Sequence, residues 1–150
     1  NVTHLEAKEI AIIRDGALEN SQNVPASPYT VTFDTAATSD YEVGLDFTVS
    51  IVTMPTEPRV STGSVQGVKK RIIQIDALVY ETQSININGT EISFRNFGEA
   101  VLDTPIQEYT GVKTVHGILG FSDTGQITIT QTVPLKMTLL GLEYRMSIGN

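Results

Sequence analysis

Apolar residues recur at every second position through most of this chain, a spacing that predicts β-strands rather than helices. Residues 8–19, "KEIAIIRDGALE", read as a short strand, a turn at Asp15-Gly16 and a short return. Asp-Gly suits a tight hairpin because both central residues of a type I′ turn need positive φ. Residues 28–34, "PYTVTFD", alternate Tyr29, Val31 and Phe33 with Thr30, Thr32 and Asp34. Residues 41–54, "YEVGLDFTVSIVTM", set Tyr41, Val43, Leu45, Phe47, Val49 and Ile51 on one face. Gly44 inside that run marks a bulge or a close backbone approach.

Residues 55–68, "PTEPRVSTGSVQGV", break the pattern with two prolines, two glycines and several hydroxyl residues. Beyond them, residues 70–82, "KRIIQIDALVYET", place Ile73, Ile75, Ala77 and Val79 on one face. Ile72, Leu78 and Tyr80 share the other face with Gln74 and Asp76. Asn88-Gly89 then gives a second hairpin signal between "INING" and "TEISF". Residues 113–121 and 126–131 bracket a further turn. The closing stretch 137–148, "MTLLGLEYRMSI", sets Leu140, Leu142, Tyr144, Met146 and Ile148 against Leu139, Gly141, Glu143, Arg145 and Ser147. No stretch holds a 3.6-residue period over ten residues, although residues 97–104 suggest one helical turn. Short strands with regular turn signals predict an all-β fold, an antiparallel sandwich or barrel. It divides into two small lobes: residues 1–57, a linker at 58–68, and residues 69–150.

Composition narrows the chemistry. The 150 residues include no cysteine, which excludes a disulfide scaffold, a zinc-thiolate site and a thiol nucleophile. No apolar run reaches the ~20 residues of a membrane-spanning helix. The first ten residues lack the basic start and apolar core of a signal peptide, and the chain does not open on Met. A piece of a longer protein is the expectation.

The formal net charge is −7, and residues 1–68 carry most of it, with three cations against nine acids. A general nucleic-acid binder carries a basic stripe, because phosphate contacts dominate affinity. Here the cations concentrate only at Lys69, Lys70 and Arg71, at the head of a predicted strand. No aromatic residue lies between Gln66 and Ala77 to stack on bases. The triplet therefore reads as a strand entry that deters edge pairing, or as a contact for an acidic neighbour such as a second copy. Exchanging all three for Gln is expected to leave the fold intact and weaken assembly.

Other candidates are thin. His4 and His116 are isolated in sequence, and no G-x-S-x-G elbow is present. Asp40, Glu42 and Asp46 have the spacing of one strand face, which suits a hard cation, but polar-out alternation predicts the same solvated face without any ion. Asn1 and Asn88 begin N-x-S/T triplets, and Asn88 already belongs to a turn. No phosphate loop or dinucleotide fingerprint is present. The residues nominate no catalytic group, no metal ligand and no cofactor.

Several motifs together resemble a family. "QGVKKRIIQIDALVYET" is similar to a segment of the tail tubular protein B (nozzle) group of short-tailed phages and related prophage tail proteins. There a Q-G-[RK]-[KR]-[KR] run opens a strand that ends near an aromatic-[DNE]-[ST] turn. Gln66, Gly67, Lys69, Lys70 and Arg71 match the opening, Val68 departs from it, and Tyr80, Glu81 and Thr82 match the end. "THLEAKEIAIIRDG" resembles H-L-E-G-x-x-V-x-x-x-x-D-G, with Ala7 in place of glycine. "YEVGLDFTVSIVTMP", "FRNFGE" and "PLKMTLLGLEYRMSIG" resemble further family features in the same order.

The resemblance implies the C-terminal part of a non-enzymatic virion structural protein in the phage tail, made in the bacterial cytoplasm. Its partners would be other tail proteins and further copies of itself, in a ring through which DNA leaves. It implies no cofactor, no membrane and no sequence-specific nucleic-acid contact. An acidic surface suits such a ring, because it would not retain passing DNA. Two rivals make different demands. A carbohydrate- or receptor-binding sandwich needs exposed aromatics, in a chain with 7% aromatic residues and no Trp. A tail hydrolase needs a cleft holding a perturbed carboxylate or histidine.

Overall fold

The computed structural model describes residues 2–33, 36, 39–58, 63–96, 98, 104–116 and 120–149. The suggested helical turn at 97–104 falls largely outside them, as do residues 59–62 of the 55–68 break. Among the described residues the only helical element is a 3-10 turn, Thr3–Leu5, and the rest of the ordered backbone is antiparallel β.

The first strand, β1 (Glu9–Arg14), turns through Asp15 (φ 50) and Gly16 (φ 81) into β2 (Ala17–Leu18), the geometry a type I′ turn demands. A short β3 (Gln22–Asn23) returns along the same edge of β1, and β4 (Tyr41–Leu45) pairs along its other edge. Ile10, Ile12, Leu5 and Val24 are buried under this sheet, with Val31, Phe33 and Val43 packed on them. Residues 28–33 run beside it without forming a strand, contrary to their alternation. Gln22 substitutes for the missing backbone partner: its amide donates to the Thr32 carbonyl and its oxygen accepts from Thr32 N–H at 3.3 Å.

The larger core lies between two sheets. One orders β5 (Val49–Val52), β10 (Thr128–Gln131), β7 (Asn86–Ile87) and β8 (Thr90–Glu91). The other orders β11 (Leu139–Ile148), β6 (Lys70–Thr82) and β9 (Tyr109–His116). Ile72, Ile75, Ala77 and Val79 of β6 meet Ile87, Ile129, Ile85, Ile127, Phe94 and Val115 in one buried cluster. Asn88 (φ 48) and Gly89 (φ 79) make the second hairpin turn. The architecture is thus an antiparallel β-sandwich with a small added sheet.

Three features depart from simple alternation. The stretch 41–54 is not one strand. It breaks at Asp46, whose carboxylate accepts from Phe47 N–H at 2.8 Å, and its halves join different sheets. Segment 1–57 therefore supplies β1–β4 to one core and β5 to the other. Both β4 and β5 are edge strands, so Tyr41, Leu45 and Ile51 of the expected inner face stay 43–57% exposed.

Next, β6 carries a bulge. Arg145 pairs with Gln74 and Met146 with Ile72, leaving Ile73 unopposed. One extra residue moves the following side chains to the other face. Ile72 is consequently buried and Ile73 is 48% exposed, the reverse of the alternation reading. A matching irregularity on β11 leaves Leu140 outside the pairing and 60% exposed, while Leu142 and Tyr144 lie opposite the core residues Ala77 and Ile75.

Finally, β9 contains Gly111 at φ +145, with the Tyr109 ring lying against it. A Cβ there would stand 3.0 Å from the Tyr109 hydroxyl oxygen, which donates to the Val112 carbonyl. Gly111→Ala is expected to cost about 1–3 kcal/mol through backbone strain alone. Urea unfolding tests this: an unchanged midpoint would show that the strand relaxes without penalty.

Candidate assembly surface

The cation triplet does not act as one patch. Strand alternation begins at its second member and sends the three side chains apart. Lys69 is solvated, with Nζ 3.2 Å from an Asp123 carboxylate oxygen. An exposed pair of this kind contributes little to stability. Lys70 turns inward and is 2% exposed. Its Nζ donates to the Asp123 carbonyl at 3.0 Å, and its stem lies over Gly125 beside the Met146 sulfur. Lys70 and Ser122 also exchange backbone hydrogen bonds of 2.7 and 2.8 Å. Arg71 faces outward opposite Ser147, and its buried Nε has no hydrogen-bond partner among the described residues.

Lys70 therefore holds the 122–125 turn against the head of β6. Exchanging the whole triplet for Gln would reach into the core, which revises the expectation of an intact fold. The inward turn of Lys70 was not legible: alternation gives Lys70 and Ile72 the face of Gln74 and Asp76, and the bulge at Ile73 turns them inward.

The outer face of the β11-β6-β9 sheet carries an ordered array of exposed side chains. At one end Leu78 lies directly opposite Val112 on β9 and Gly141 on β11, with Leu140 next along. Leu78, Val112, Leu140 and the nearby Tyr80 are 43–60% exposed. Toward the other end the face is polar. Asp76 accepts from the Thr114 hydroxyl at 2.5 Å and from the Gln74 amide at 2.7 Å. The Thr114 bond lowers the Asp76 pKa most, helped by Gln74 and by the charges of Arg145 and His116. His116, isolated in sequence, thus stands in a cross-strand polar belt opposite Gln74. Beyond the apolar end, the Lys136 ammonium bridges Glu81 at 2.5 Å and Glu108 at 3.2 Å. Its hydrogen bond lowers the Glu81 pKa and in turn raises that of Lys136.

The concave features are modest. A crevice of about 390 Å³ separates the β1–β2 hairpin from the sandwich and includes the Arg14–Glu19 ion pair, 2.5 Å long and nearly buried. A second cleft of about 430 Å³ is lined by Pro28, Tyr29, Phe33 and Tyr41, the last two with ring centroids 4.8 Å apart. Asp40, Glu42 and Asp46 do not share a strand face: the first and last flank β4, and each accepts from the backbone N–H that follows it. Among the described residues no group of three His, Asp or Glu side chains could hold a metal ion. No protein-family model matches the chain, and no curated protein matches it in sequence.

Proposed function

We propose that the chain is a non-enzymatic structural protein of a phage virion, part of a tail tubular or nozzle protein located in the tail. It assembles by contact with further copies and with other tail proteins. The observation that carries this reading is the apolar patch of Leu78, Val112, Leu140 and Tyr80, spread over three hydrogen-bonded strands. Contiguous apolar surface on rigid backbone favours protein contact over solvent. The exposed acids Asp40, Glu42, Asp46 and Glu57 repel DNA phosphate, which suits a DNA conduit.

Light scattering at ~0.15 M salt, where long-range repulsion is largely screened, tests the reading. The wild-type mass should climb with concentration past that of a pair of 16.3 kDa chains. The Leu78→Ser/Val112→Ser variant should stop at a pair or below, with unchanged circular dichroism. A flat mass for both proteins would overturn the assembly reading.

The alternative is a carbohydrate- or receptor-binding tail module. The cleft of Tyr29, Phe33 and Tyr41 favours it, because aromatic faces stack on sugar rings. Saccharide binding that disappears in Tyr41→Ala would favour this second reading.

A further inference from the structure

Strand β11 is the longest edge strand among the described residues, ten residues from Leu139 to Ile148. One side pairs with β6, and among the described residues no strand pairs with the other. Natural edges are usually blunted by proline, lysine or a bulge that twists them away. This one has no proline and no lysine, and its own irregularity is confined to Leu140, so Gly141–Ile148 runs regularly. Its only charges are Glu143 and Arg145, on either side of Tyr144 and both on the outer face. Within the chain Glu143 lies directly opposite Asp76, an unfavourable like-charge pair. Such a local conflict points to a need outside the chain.

We propose that β11 pairs antiparallel with β11 of a second copy, about a two-fold axis through Tyr144. In that register Glu143 faces Arg145 of the copy, and Arg145 faces its Glu143. Leu142 faces Met146 and Gly141 faces Ser147, so apolar and small polar positions each meet their own kind. Directly opposed residues of an antiparallel pair share a face. A residue must therefore lie on the axis for both cores to stay on the same side of the joint sheet. Moving the axis to Glu143 sets Glu143 against itself, and moving it to Arg145 sets Arg145 against itself. Like charges directly opposite disfavour both neighbouring registers. Only the Tyr144 register gives Glu143 a countercharge, and symmetry makes two such pairs.

The result is a six-stranded sheet, β9-β6-β11 continued by β11-β6-β9 of the copy. Tyr144, Met146 and Ile148 also line a groove of about 640 Å³ with Met54, Pro55 and Pro58, which extends the apolar surface beside the joint. The contact is isologous and closes at two. Larger assemblies then use the outer apolar patch or the free edge of β9. The inference rests on the self-assembly part of the reading above.

Reciprocal charge exchange tests it. Glu143→Arg and Arg145→Glu alter exposed side chains, and the first also removes the repulsion with Asp76. Each variant alone should lose self-pairing by on the order of tenfold or more, since it opposes like charges twice. An equimolar mixture should pair again, because every Arg then meets a Glu; recovery also shows that both variants are folded. With Leu78→Ser/Val112→Ser added to both to remove the outer patch, sedimentation at ~0.15 M salt should give about 16.3 kDa for each variant and about twice that for the mixture. A mixture that stays monomeric while the wild type pairs would overturn the register. If both single variants keep the wild-type mass while Leu78→Ser/Val112→Ser reduces it, edge pairing fails and the assembly reading stands. A wild type that is itself monomeric overturns both.

Discussion

Ile75→Ala is expected to destabilise the protein by about 2–5 kcal/mol, more than the loss of any exposed side chain should cost. Ile75 is fully buried at the middle of β6, between Tyr144 and Val115 on the flanking strands. The Ile85, Ile87, Ile127 and Ile129 side chains complete the same cluster. Truncation removes transfer energy and leaves a cavity that two hydrogen-bonded neighbours prevent from closing. Ile73→Ala, two residues away, should cost under about 1 kcal/mol because its side chain is already half in water. Simple alternation puts the two isoleucines on one face and predicts equal costs. Urea unfolding separates the cases, and equal midpoint shifts would show that the bulge at Ile73 is absent in solution.

Lys70→Ala is expected to cost about 2–3 kcal/mol, an unusual penalty for removing a lysine. Two losses combine. The buried stem leaves space over Gly125 and beside Met146, and the Asp123 carbonyl loses its donor. Lys70→Met restores the stem without the ammonium and should recover most of the stability, because the packing is the larger part. Lys69→Gln, on a solvated side chain, should stay within about 0.5 kcal/mol. Thermal unfolding of the three variants measures this order. A Lys70→Ala protein as stable as Lys69→Gln would mean that the 122–125 turn is not held by the second lysine.

Much of the fold is written locally. Asp15-Gly16 and Asn88-Gly89 specify their turns because few other residue pairs adopt two successive positive φ values, and both turns form where expected. The alternation of Ile75, Ala77 and Val79 correctly gives the inner face of β6. What escapes the sequence is non-local. The bulges at Ile73 and Leu140 arise from matching β6 to β11, and neither strand shows them alone. The split of 41–54 depends on which sheets Tyr41–Leu45 and Val49–Val52 can reach. The short side chain of Asp46 is the only local sign of it.

Ala7 illustrates the reverse case. It holds φ 56, a left-handed conformation that glycine adopts freely and alanine only with strain, and nothing in the local alternation announces it.

The candidate surface was legible only in part. Three adjacent cations draw attention as a unit, yet a strand cannot present three neighbours on one side. The apolar face at Leu78 and Tyr80 was visible as the second face of β6, but its continuation onto Val112 and Leu140 depends on register. The pairing edge at Glu143 and Arg145 is unremarkable in sequence. It becomes notable only when Glu143 is found opposite Asp76.

Amide hydrogen exchange of the unmodified chain, followed from micromolar to millimolar concentration, tests most directly whether the three-stranded sheet is the assembly element. Protection of Gly141–Ser147 should rise with concentration, while the edges at β5 and β8 stay unchanged. Exchange in β6, β9 and β11 that is independent of concentration would contradict the account.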